Sequence, residues 1–253
     1  MYRTFAASLI SLTLASGAAI AADLPPPELA YKAPPPPVYN WTGCYVGGGG
    51  GYGMWNQDVV AETFPGLVQA GPTLTNGGRG WFGQGQGGCD YQFSLPLPFW
   101  SPNVVIGAFG DYEAGNLRGT VTIPTTGTFG AESMNNAWAV GGRAGVLVTP
   151  KFLTYFDGGY TQANFGQVNF SAPPGTIASN TYNGWFIGSG FEYSFDFLPG
   201  LFFKTEYRYS TYSTANLPII PTAFALNSTK YIQMVSTELV WRFNFGGLSA
   251  WGH

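Results

Sequence analysis

The chain has 253 residues, 45% hydrophobic, 17% aromatic and only 9% charged, with a formal net charge of −3. A soluble domain ordinarily carries about 25% charged residues, so this chain is short of charge for a surface that meets water on every side. The small negative charge and the lack of a basic run exclude the usual signature of a nucleic-acid binder. Beyond the N-terminus, no run of about 18 apolar residues marks a membrane-crossing helix.

The opening segment, MYRTFAASLISLTLASGAAIAAD, has one early base (Arg3), an apolar stretch from Phe5 to about Ala15 and then small residues. This pattern predicts a signal peptide over residues 1–21, with cleavage between Ala21 and Ala22 after the Ala19-Ile20-Ala21 motif. The mature chain is therefore expected to leave the cytoplasm. Residues 22–40 carry two proline runs, which fix φ and remove donors, and are expected to form an extended periplasmic spacer.

From Trp41 the chain alternates with period two, the signature of strands with unlike faces. Eight such segments follow in order: WTGCYVGGGGGYGMW, QGQGGCDYQF, VVIGAFGDYEA, WAVGGRAGVLV, FLTYFDGGY, WFIGSGFEYSF, LFFKTEYRYSTY and STELVWRF. Their charges fall on one parity: Asp90, Asp111, Glu113, Arg143, Asp157, Glu192, Lys204, Glu206, Arg208, Glu238 and Arg242. Val, Ile, Phe, Tyr and Trp dominate the other parity. Alternation alone fits either a soluble barrel with a greasy interior or a membrane barrel with a polar one. Three features favour the second. Charge is scarce, the strands are about 10 to 15 residues long, and short links alternate with long ones. The short links contain Pro98, Pro150 and Pro199; the long ones lie near 56–78, 116–134, 167–181 and 213–229.

The expected fold is all-β: an eight-stranded antiparallel up-and-down transmembrane β-barrel over residues 41–245, with a C-terminal tail at 246–253. Its charges should line the lumen and its aromatics should face lipid, with short turns periplasmic and long loops extracellular. Eight strands enclose a space just wide enough for side chains, so the lumen should be largely filled. Cys44 and Cys89 lie symmetrically about the first long loop, which makes them hairpin partners and disulfide candidates in an oxidising compartment. Two free thiols are the alternative.

Taken together, APPPPVYNWTGCYVGGGGGYG, GGCDYQF, VVIGAFGDY, VGGRAGV, FEYSF, FKTEYRYS and WRFNF resemble the small outer-membrane β-barrel proteins of rhizobia and related α-proteobacteria. The resemblance covers nearly the whole chain and implies an OmpA-like eight-stranded barrel in the outer membrane of a Gram-negative bacterium. Members of that family are described as surface antigens, some as porin-like and some as haemin-binding. The resemblance also implies a closing aromatic read by the barrel-assembly machinery, matched here by Phe243 or Phe245. The chain departs from a strictly terminal aromatic because GGLSAWGH follows.

Catalytic chemistry finds little support. The single histidine is His253, the last residue, and a general base near a nucleophile is missing. The glycine run Gly47 to Gly51 lacks the Lys-Ser/Thr of a phosphate loop. No cofactor or metal site is expected. A structural surface barrel is therefore the first reading. A small pore for ions or solutes is the second. A receptor for haemin or another ligand, with Tyr182 or Tyr212 on loops as iron ligands, is the third. Outer-membrane lipid and the assembly machinery are the expected partners; a loop partner and the oligomeric state stay open.

Overall fold

The structure, a computed structural model, describes residues 40–171 and 175–243. The proposed signal peptide with Ala21 and Ala22, all of the spacer but Asn40, Phe245 and the tail lie outside these residues. Eleven strands follow one another: β1 (Gly43–Thr63), β2 (Gln69–Ser94), β3 (Asn103–Thr122), β4 (Phe129–Thr149), β5 (Phe152–Phe165), β6 (Val168–Phe170), β7 (Gly175–Ile177), β8 (Asn180–Ser194), β9 (Leu201–Tyr212), β10 (Ala215–Ile219) and β11 (Phe224–Phe243). The described residues contain no helix.

Eight of these strands close a ring. Each of β1, β2, β3, β4, β5, β8, β9 and β11 pairs antiparallel with its neighbours, and β1 returns to β11. Cys44 thus faces Cys89 on one side and Phe243 on the other. A closed ring leaves no edge, so every strand finds backbone partners on both sides, as a lipid environment demands. The β6–β7 hairpin leans on β4 through Gly130 and Phe170, and β10 pairs with the upper part of β11.

The eight sequence segments map onto the eight ring strands, with Trp41, Thr42 and Phe195 outside the strand bounds, but the expected lengths and links need correction. Ring strands run from 12 residues in β9 to 26 in β2. The expected long loops are mostly strand: the first link shrinks to Phe64–Val68 and the second to Ile123–Thr128. The third carries β6 and β7 and the fourth carries β10. Those stretches are rich in Gly, Pro and Asn, which ordinarily interrupt strands. Here long cross-strand registers override that local tendency.

Two aromatic rings encircle the outer wall. Tyr91, Tyr193, Trp241 and Phe243 lie towards the short-turn end; Tyr52, Trp81, Tyr112, Trp138, Tyr160 and Trp185 lie towards the other. On β2, Trp81 and Tyr91 are about ten residues apart. At about 3.3 Å per residue and a tilt near 40°, that separation spans about 25 Å, the height of the apolar band of a membrane barrel. Between the rings the wall is Val46, Ile106, Val140, Phe156, Ile187 and Leu239, all exposed. Upper-ring aromatics direct their polar tips to amides. Trp138 Nε1 donates to Gln162 Oε1 (3.0 Å), and Tyr160 Oη donates to Asn183 Oδ1 (2.9 Å). An apolar body with a satisfied polar tip is what an interface between lipid and water selects.

Above the upper ring, the inside–outside alternation continues with its polarity inverted. Outward positions become polar: Thr75 bonds Asp58 (2.7 Å), Asn164 bonds Thr181 (3.0 Å) and Asn227 bonds Asn216 (2.8 Å). Inward positions become apolar, with Trp55, Leu117, Met134, Phe165, Leu226 and Ile232 in one buried cluster.

Candidate functional site: a filled lumen

All eleven charges assigned to the lumen from sequence are buried inside the ring. Seven carboxylates face four cations, so the cations are shared. In the layer nearest the short turns, Arg143 and Arg242 alternate with Asp90 and Glu192. Arg143 bonds Asp90 through Nε (2.9 Å) and Nη2, and Glu192 through Nη1 (3.2 Å). Arg242 reaches Asp90 (2.6 Å) and grips Glu192 from Nε (2.9 Å) and Nη2 (2.8 Å). The four groups form a closed, neutral ring, with Glu192 fully shielded from solvent.

Trp41 closes that end from below. Its indole Nε1 donates to Pro150 O (3.1 Å), and its ring lies 4.7 Å from the Arg242 guanidinium carbon. Sequence reasoning placed Trp41 in the first strand; it precedes β1 and plugs the lumen instead.

A middle layer sits above. Lys204 pairs with Glu206 (2.8 Å) and Glu238 (3.5 Å) and donates to Gln86 (2.8 Å). Arg208 pairs with Asp111 (2.7 Å), Glu113 (3.3 Å) and Glu206 (2.8 Å). Asp157 is buried in the same interior and, among the described residues, makes no ion pair. Aromatics fill the gaps: Arg208 stands 4.4 Å over Phe186, and Tyr155 Oη donates to Glu206 (3.0 Å). Two glycines make room. A Cβ at Gly190 would lie 2.6 Å from Tyr155 Oη, and one at Gly88 equally close to Tyr45 Oη. Each glycine is the direct register partner of that tyrosine, so a missing side chain on one strand leaves room for the ring of its neighbour to turn into the lumen.

A third charged pair was missed from sequence because it falls in segments taken for loops and strand ends. Lys230 donates to Glu132 (2.8 Å) and Gln57 (2.6 Å) within the upper apolar cluster. Rings of Phe165 (4.1 Å) and Trp55 (4.8 Å) surround its ammonium. This pair lies above the upper aromatic ring, outside the part that fits a bilayer. Burial pulls the Lys230 ammonium down to about 8, against the opposing pull of Glu132. Burial likewise raises the Glu132 carboxyl. The available signal was weak: Ile232 and Met234 share a parity with Lys230, and Met134 shares one with Glu132, so each charge sits on the locally more apolar face.

The sequence candidates outside the lumen fall as follows. Cys44 and Cys89 are joined by a disulfide across the β1–β2 pair. Phe243 ends β11 on the outer wall, half exposed. Tyr182 and Tyr212, expected on exposed loops, are buried instead, with hydroxyls near Ser228 (3.2 Å) and Thr161 (3.4 Å). Their inward parity on β8 and β9 carries them into the interior, away from any ligand in solution.

Residues 8–243 match the sequence profile of the outer membrane protein beta-barrel domain. No curated protein matches the chain. Among solved structures, it is similar to Neisserial surface protein A at 10% identity, over 80% of this chain and 98% of that one, with a TM-score of 0.37. It is similar to Ail, the attachment invasion locus protein of Yersinia pestis, at 9% identity, 77% and 99% coverage, and a TM-score of 0.31. The outer membrane protease OmpT from Escherichia coli matches at 8% identity, 79% and 97% coverage, and a TM-score of 0.37.

Proposed function

Because the chain belongs to the outer membrane protein beta-barrel family, we propose that its ring of eight strands is a transmembrane unit with a structural and surface role rather than a diffusion pore. Its place is the outer membrane of a Gram-negative bacterium. The observation that carries the reading is the lumen: two ion-paired layers under an apolar cluster, with Trp41 beneath them. Each layer alone obstructs a small solute, and a buried ion pair is costly to open because either partner left alone is an uncompensated charge.

In this reading the short turns are periplasmic, and the polar extension above the upper ring stands outside the cell. Outer-membrane lipid covers the apolar band, and the assembly machinery reads Phe243 or Phe245. The resemblance to the small barrels of rhizobia supports the same surface role. The barrel is non-enzymatic in this reading, supported by a lumen in which six of the seven assigned carboxylates are paired with Arg or Lys. The burial of Tyr182 and Tyr212 weighs against haemin binding through them.

Planar-bilayer recording of the purified barrel tests the proposal. We expect no large, stable conductance. A steady open channel passing small sugars would overturn the filled lumen and favour a small porin.

A further inference from the structure

The strand register brings together two cations that the sequence keeps 39 residues apart. Arg79 of β2 and Arg118 of β3 are direct partners, on the outward face of both strands, and both are exposed. Directly opposed residues of an antiparallel pair have Cα atoms about 4.5–5.5 Å apart, and like charges there repel. Among the described residues neither arginine makes an ion pair; Arg118 Nε donates to Asn116 Oδ1 (3.0 Å). The other described cations are inside the ring, apart from Lys151 at a short turn. Among the described residues these two are thus the outer wall's cations at the end away from the short turns, which the proposed function places outside the cell, a reading on which this inference rests.

Their height is informative. On β2 the next outward residue below Arg79 is Trp81, 75% exposed and stacked edge-on with Tyr52 (5.1 Å). Trp81 belongs to the upper aromatic ring, so the arginine pair stands one outward position above the edge of the apolar band. That is the level of lipid headgroups. A repelling pair there is relieved by an anion placed between the guanidiniums, each of which presents a planar fork matched to phosphate oxygens.

We propose that Arg79 and Arg118 form a binding site for the phosphate of an outer-leaflet glycolipid, with Trp81 packing against the same lipid below. The site is distinct from the lumen and does not depend on whether the lumen conducts.

The test is a native mass-spectrometric titration of the full barrel, folded in detergent, with bisphosphorylated lipid A, the same lipid stripped of phosphate, and inorganic phosphate. The wild type should prefer the phosphorylated lipid by about tenfold, as expected of a bidentate charge-assisted contact. Arg79→Gln/Arg118→Gln should lose that preference, and Arg118→Lys should keep part of it. A double variant that keeps the full preference would overturn the site. Displacement of the lipid by inorganic phosphate at equal concentration would overturn the glycolipid as its occupant. Urea midpoints give an independent readout. In a phosphate-free maltoside micelle Arg118→Gln should raise the midpoint by removing repulsion; with lipid A added it should lower it relative to wild type. The same sign with and without lipid A would refute the proposal.

Discussion

Replacing Glu192 by Gln asks whether the lumen is packed or aqueous. The carboxylate accepts from Arg242 Nε (2.9 Å), from Arg242 Nη2 at both oxygens (2.8 and 2.9 Å) and from Arg143 Nη1 (3.2 Å). Gln keeps the shape but removes the charge and turns an amide donor towards guanidinium donors. Two buried cations then share Asp90 alone. In a dry interior, losing one partner of such a pair costs about 3–5 kcal/mol. If water filled the lumen, each contact would be worth about 1 kcal/mol or less. The two cases are well separated. Urea titration of wild type and Glu192→Gln in phosphatidylcholine vesicles, followed by tryptophan fluorescence, measures the difference. The double variant Glu192→Gln/Arg242→Met restores neutrality and should lose less than the two singles together, by about 0.5–3 kcal/mol. A single variant within about 1 kcal/mol of wild type, with an additive double, would refute the packed lumen.

Ile187 lies between the aromatic rings, 55% exposed on the outer wall, so Ile187→Arg should cost about 2–4 kcal/mol in a bilayer. A refolding titration showing a cost below about 0.5 kcal/mol would mean that β8 does not present this face to lipid. Lys230 gives a pH signature. Its folded value near 8 is below the unfolded value near 10.4, so burying the charged form is unfavourable below pH 8. The penalty should fall as pH rises from about 8 to about 10.4 and stay flat above. The stability of wild type relative to Lys230→Met should therefore rise across that window, by a total on the order of 3 kcal/mol. A flat difference between pH 7 and pH 11 would remove the buried ammonium from the account.

The ring was legible wherever charge marked one parity. Lys204, Glu206 and Arg208 alternate with Phe203, Thr205 and Tyr207, and a one-residue slip would carry every charge into lipid, so the pattern specifies the face. The inward set was readable, but not its pairing. That Arg143 meets Asp90 is not readable from spacing, because partners across a lumen depend on register around the whole ring. Above the upper aromatic ring the same parity carries the opposite polarity. In NQDVVAET, Asn56 and Asp58 point outward while Val59 and Ala61 are buried. A rule that sends charge inward has no purchase there, and polar strands were taken for loops. Arg79 and Arg118 were lost in the same way: two loop charges in the sequence, one facing pair in the sheet.

That inversion follows from strand length. A strand of 26 residues such as β2 rises about 65 Å along the ring axis at a tilt near 40°, against an apolar band of about 25 Å. More than half of it must stand in water, where an exposed apolar wall and a charged interior would be the wrong way round. The protruding part therefore needs polar residues outside and a dry core inside, as a soluble barrel does. Trp55, Leu117, Met134, Phe165 and Leu226 supply that core. The core that keeps the extension folded is also the stopper above the ion-paired layers. On the proposed reading, a protruding, narrow ring closes its own lumen. Widening it would require removing apolar residues on which the extension depends, so conductance and stability of the outer half are set by the same side chains.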